Sequence, residues 1–168
     1  MRYRFPILFA VVVVVLFAVE LTRPVQVALV QPWTEGLAKI SVAIITLFDS
    51  HAIAYGRVLQ STTNGFAVSI EAGCNGVEAA LILIAAIIAF KAPMKQKLIG
   101  IAGGLLAVQL LNIVRVITLF YIGQWSATAF EWAHLYLWQA LIMLDVLVVW
   151  LLWLRWLATS ETPRAAAA

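Results

Sequence analysis

Three side chains in this 168-residue sequence are of the kinds that acyl transfer requires: the thiol of Cys74, the imidazole of His134 and the guanidinium of Arg115. A thiol attacks a carbonyl as its thiolate, so it needs a depressed pKa or a nearby base. Histidine supplies acid and base chemistry near neutral pH. Arginine supplies a permanent charge that can hold a thiolate or a tetrahedral oxyanion. Cys74 is the single cysteine of the chain, which excludes an intramolecular disulfide and a cysteine-rich metal centre. It stands in Glu71-Ala72-Gly73-Cys74-Asn75-Gly76-Val77-Glu78, a small polar cluster that opens an apolar run.

Other polar residues share helical faces with these three. Cys74 and Glu78 are four apart and lie on one face if the helix already includes Cys74. Gln109, Asn112 and Arg115 are spaced by threes and occupy an arc of about 120°, a polar stripe whose natural place is a bundle interior. His134 and Asp145 are eleven residues apart, close to three whole turns, which puts them on one face with Asp145 about 16 Å deeper. Asn75, Glu78, Asn112 and Asp145 are therefore candidates to support the site or bind substrate.

The elements that must carry these residues are membrane helices. The chain is 64% apolar and 11% charged, with a mean hydropathy of +1.01, far outside the range of a soluble domain. The expectation is a single all-α integral membrane domain over residues 1–168, a small bundle of four spans at about 5–21, 75–91, 98–122 and 135–156. Phe17-Ala18-Val19-Glu20-Leu21 offers no small-x-small cleavage site, so the first span reads as a retained anchor and not a signal peptide. The net charge of +3 comes from basic residues that lie between spans and not along one face, which excludes a nucleic-acid surface and makes them topology signals.

With four crossings, Arg2, Arg4, Lys91, Lys95, Lys97, Arg155 and Arg164 fall on one side, against Arg23, Lys39 and Arg57 on the other. The basic side is cytoplasmic, so both termini are expected inside. The extracytoplasmic side receives a segment of about 22–74 and the loop before His134. Arg115, 17 residues beyond Leu98, lies about 25 Å along an outward-running helix, so all three reactive side chains gather at the outer face. Within the outer segment, Leu37 to Phe48 has the pattern of an amphipathic surface helix. Tyr55-Gly56-Arg57-Val58-Leu59 and Gly65-Phe66-Ala67-Val68-Ser69-Ile70 read as a small hairpin delivering the chain to Cys74. The tail from about 160 to 168 is expected to be disordered.

Each residue also has an ordinary reading. A cysteine in a membrane protein is commonly a small packing residue; Arg115 can snorkel to headgroups; Gln109 and Asn112 can bond between helices. Trp125, Trp132, Tyr136 and Trp138 fit an interfacial aromatic belt. The combination is what sets the chain apart. Gly73-Cys74-Asn75-Gly76-Val77-Glu78, Asn112-Ile113-Val114-Arg115-Val116 and His134 opening the last span, in that order, resemble the exosortase and archaeosortase family of membrane transpeptidases. The likeness is greatest to the short form, exosortase H. It covers about Gly56 to Trp153, and the first 50 residues carry little of it. Most of the family has Ser after the cysteine, where this chain has Asn75.

The resemblance implies that Cys74 is a nucleophile, His134 its acid or base and Arg115 the electrostatic partner. It also implies a multi-pass protein of the bacterial inner membrane with its site on the extracytoplasmic face. The implied partners, besides the lipid bilayer, are exported proteins ending in a C-terminal sorting signal: a short motif, a transmembrane helix and a basic end. For the short branch that motif is Ile-Pro-Thr-Leu followed by a Trp-Gly pair. Cleavage through a Cys74 thioester would transfer the protein to an acceptor of the cell envelope. No cofactor and no metal are required. The alternative is a non-enzymatic subunit of a transport or assembly complex, with Arg115, Glu78 and Asp145 in structural pairs. A metal-dependent hydrolase using Asp49, His51 and His134 fits no ligand spacing.

Overall fold

In a computed structural model of the chain, residues 4–165 are described, with side chains as far as Ser160. The backbone of α1 (Arg4–Glu20) is helical through an unbroken apolar run. α2 (Arg23–Ile45) meets it at 69°. Its start is set by Pro24, whose fixed φ suits a first helical turn. The sequence placed a surface helix over Leu37 to Phe48, but the helix begins at Arg23 and passes through Pro32. The reason is local: the turn Gln26–Val30 is a π turn in which Gln31 N–H reaches the Gln26 carbonyl. That wider turn comes just before the proline that would otherwise break an α-helical ladder.

A three-stranded antiparallel sheet follows, β1 (Ala52–Tyr55), β2 (Val58–Ser61) and β3 (Ala67–Ser69), in that spatial order. The expected hairpin treated Tyr55 to Leu59 as one strand. Instead the chain reverses there, with Gly56 at φ +54 and Tyr55 paired to Val58. Then come α3 (Val77–Ala89), α4 (Met94–Trp125) and α5 (Ala127–Ser160). α5 contains a second π turn, Ala133–Leu137, and its helical backbone continues to Ala165. The tail expected from about 160 is thus helical that far, while residues 166–168, like Arg2, lie outside the described residues.

By length and composition α4 and α5 can each cross a membrane, and the bent pair α1–α2 makes a third candidate span. α3 has 13 residues, about 20 Å of helix against a hydrocarbon core of about 30 Å. Length therefore supports two or three spans where the sequence led us to expect four. The fold is mostly helical, with α3, α4 and α5 packed on one another and α1 laid against α3. Small residues permit the close approaches: Gly104 faces the Leu83 side chain and Gly100 the Trp153 indole. Leu83, Ile87, Val108, Ile142 and Val146 fill the bundle. A second core of Leu37, Ile45, Leu59, Ile70, Val116 and Phe120 seats the sheet between α2 and α4. Phe66 anchors that seat, its ring lying over Gly123 and 6.2 Å from Phe120.

Candidate active site

Cys74 lies in the short loop that joins β3 to α3. Two glycines shape this loop, Gly73 at φ +80 and Gly76 at φ +73, in the left-handed region that side chains other than glycine rarely occupy. The loop is held by three helices. Glu78, in the first turn of α3, accepts the Gly73 N–H at 2.7 Å, a carboxylate at a helix N-terminus where the dipole favours it. Asn75 is buried; its Oδ1 accepts the Val77 N–H at 3.0 Å and its amide donates to the Thr34 hydroxyl at 3.3 Å. From α2, Trp33 Nε1 donates to the Asn75 carbonyl at 3.2 Å. From α4, Gln109 donates to the Gly76 carbonyl at 3.2 Å.

The loop thus presents the Cys74 thiol to α4 and α5. Arg115 on α4 is 2% exposed and divides its fork, Nη1 donating to the Gly73 carbonyl at 3.1 Å and Nη2 to Cys74 Sγ at 3.3 Å. His134, on the π turn of α5, brings Nε2 to 2.9 Å from Sγ. Its ring stacks on Phe130, with centroids 5.6 Å apart and planes 17° apart. Thiol, imidazole and guanidinium, from residues 41 and 60 positions apart along the chain, meet at one sulfur.

Burial pushes the Cys74 thiol above its ordinary range. Arg115 opposes that shift through its charge and hydrogen bond, while Glu78 and Glu71 add to it. The net direction favours a neutral thiol at rest, so the thiolate has to form as a base removes the proton. For Nε2 of His134 to be that base, the neutral ring must carry its own proton on Nδ1.

A cavity of about 350 Å³ opens at this sulfur, lined by residues 67–72, Cys74, Arg115, Val116, Leu119, Phe130 and His134. A family model described as transmembrane exosortase matches residues 1–152 of the chain. The chain belongs to the transmembrane exosortase family. Membership implies, in general, a membrane-embedded cysteine transpeptidase. The match takes in α1 and α2, which on sequence carried little resemblance, and α2 is the helix whose Trp33 and Thr34 grip the cysteine loop. Neither a curated protein nor a solved structure matches the chain.

Of the seven site residues expected from sequence, Cys74, Arg115 and His134 come together, and Asn75 and Glu78 brace the cysteine loop from behind. Asn112 is fully buried one turn from Arg115, with neither side-chain polar atom bonded among the described residues. Asp145 is deeper in α5, and its Oδ2 is buried without a partner among the described residues. Neither lines the cavity at Cys74. Trp33, Thr34, Gln109 and Phe130 hold the three reactive groups in place. The even spacing of Gln109 with Asn112 and Arg115 was the one sign of them in the sequence.

Proposed function

We propose that the chain is a membrane-embedded cysteine protease and transpeptidase that cleaves C-terminal sorting signals of exported proteins and passes them, through a Cys74 thioester, to an acceptor of the cell envelope. The observation that carries this reading is the contact of Cys74 Sγ with both His134 Nε2 at 2.9 Å and Arg115 Nη2 at 3.3 Å. A sulfur that only packed would not need a base and a buried cation.

In this mechanism His134 takes the thiol proton as Sγ attacks the substrate carbonyl. Arg115 Nη2, already on the sulfur, stabilises the thiolate and then the tetrahedral oxyanion; in low-dielectric surroundings that field is effective. His134 returns the proton to the leaving amine, and the thioester Cys74–S–C(=O)–R is left. An acceptor amine or other nucleophile then gives up its proton to His134 and displaces the sulfur. Glu78 and Asn75 act on the loop and not on the substrate. The substrate's own transmembrane helix, docked beside the bundle, turns the encounter into a positioned one.

Four crossings with both termini in the cytoplasm are part of the proposal, in a bacterial inner membrane with Cys74 on the outer face. The second crossing runs over about residues 75–91, α3 lengthened at its two ends, with Cys74 just outside it. The likeness to exosortase H supports an Ile-Pro-Thr-Leu type of motif in the substrate.

The test is to co-express the chain with a tagged protein bearing such a tail and follow its mass. Loss of the tail with the wild-type chain, and retention with Cys74→Ala, Arg115→Ala and His134→Ala at equal membrane levels, is expected. Processing that survives Cys74→Ala would return the protein to the class of non-enzymatic membrane subunits.

A further inference from the structure

We propose that the free edge of β3 captures the substrate's recognition segment as an added, extended strand. The inference rests on the transpeptidase reading and says how that site holds its substrate. β3 ends the sheet, paired only to β2 through Val58 with Ser69, Leu59 with Val68 and Gln60 with Ala67. In an antiparallel pair alternate residues bond to the neighbouring strand, and those between turn their N–H and C=O outward. The phase is fixed by two flanking bonds, Ser61 N–H to the Phe66 carbonyl at 2.8 Å and Ile70 N–H to the Arg57 carbonyl at 3.0 Å. Phe66, Val68 and Ile70 therefore face β2. The N–H and C=O groups of Ala67 and Ser69 face the open side, and no other part of the described chain bonds to them.

An unpaired edge is a template for another strand, and this one borders the cavity at Cys74. Residues 67–72 form one wall, with Val116, Leu119 and Phe130 among the residues lining the rest. The strand leads toward Glu71 and Cys74, so a peptide paired along it reaches the thiol with its backbone already aligned. Arg115 is nine-tenths or more buried and lines the same cavity, with its Nε unpaired among the described residues. The cavity volume of about 350 Å³ is in the range of small-ligand sites, enough for a short extended segment and not for a helix of about 10 Å diameter. The three residues of β3 supply about 10 Å of pairing. Main-chain bonds would give affinity, and the apolar wall would select the side chain at alternate positions. A second copy of the chain is a poorer occupant, because the cavity beside the strand is also lined by Val116 and Leu119 of α4 and Phe130 of α5, which leaves room for a single extended segment.

The experiment uses the full chain in membranes with a tagged, membrane-anchored protein whose tail it removes in a Cys74-dependent way. Ser69→Pro deletes an outward N–H and leaves the β2 bonds in place, a substitution an edge strand tolerates. Processing is expected to fall at least about tenfold, the loss of one well-made interaction in the transition state. In a second arm, the chain with Cys74→Ala and Ser69→Cys is oxidised with tails carrying single cysteines scanned through the motif. Strand capture predicts a strong disulfide at one tail position and weaker ones two residues to either side, with the intervening positions unlinked. Cross-links at every third or fourth position, or none while the wild-type chain still processes the tail, would overturn strand capture alone. Disulfides between two copies of the chain, formed whether or not a tail is present, would assign the edge to self-association. If no tail is processed by the wild-type chain, the transpeptidase reading fails and the peptide occupant with it.

Discussion

Arg115→Lys separates the charge of this residue from its shape. The two outer nitrogens of Arg115 bond different partners, Nη1 the Gly73 carbonyl at 3.1 Å and Nη2 the Cys74 sulfur at 3.3 Å. A lysine ammonium keeps the positive charge but is a point donor and cannot reproduce the fork. One of the two bonds is therefore lost. A hydrogen bond to a charged group contributes about 1.5–3 kcal/mol. That converts to a fall in kcat/KM of roughly 10- to 150-fold. Arg115→Ala removes both bonds and the field, so its loss should be larger still, though less than the product of two such factors because both act on one loop. The assay is the initial rate of tail removal from a membrane-anchored substrate by purified chain in lipid vesicles, with the amount of folded protein set by thermal unfolding of each variant. If Arg115→Lys works within twofold of the wild type, the divided fork has no part in the chemistry and the account of Arg115 is wrong.

Three further outcomes follow from the same geometry. The rate of Cys74 alkylation should go on rising through the ordinary thiol range and level off only above it, because burial raises the thiol pKa. The inflection should move up in Arg115→Ala, which removes a charge that lowers it, and down in Glu78→Gln, which removes one that raises it; iodoacetamide rates across pH measure both. By linkage, a thiol raised in the folded state adds stability below the unfolded-state value and loses it as pH rises through the folded one. Gly76→Ala should lower thermal stability by about 2–3 kcal/mol, from forcing an alanine into left-handed backbone and displacing the Gln109 amide that would lie 2.8 Å from its Cβ. Trp33→Phe keeps the ring and deletes the bond to the Asn75 carbonyl, so processing should fall about fivefold for a net loss near 1 kcal/mol; unchanged activity would remove α2 from the site's support.

The meeting of Cys74, Arg115 and His134 was legible because the charge bias put all three on one expected face of the membrane and the motifs around them resemble those of one family. Helical phase was less informative. It put Asn112 and Asp145 on inward faces, but phase gives direction and not depth, and both lie away from the cavity. The grip of α2 was not legible, since Trp33 and Thr34 look like any interfacial residues until the bend between α1 and α2 brings them to the loop. Neither proline of this segment interrupts α2: Pro24 starts the helix and Pro32 follows a π turn. The sheet was half legible. Alternation marked its strands, but the reversal at Gly56 was lost inside what looked like one stretch.

The central claim is that Cys74 becomes acylated by its substrate. It is tested most directly by quenching the reconstituted reaction in acid and separating the products under denaturing conditions. A covalent adduct between the chain and the tagged substrate fragment is expected on Cys74, released by neutral hydroxylamine as a thioester is, and absent with Cys74→Ala. Tail removal at full rate with no such adduct, in a chain whose acceptor has been withheld, would contradict that claim.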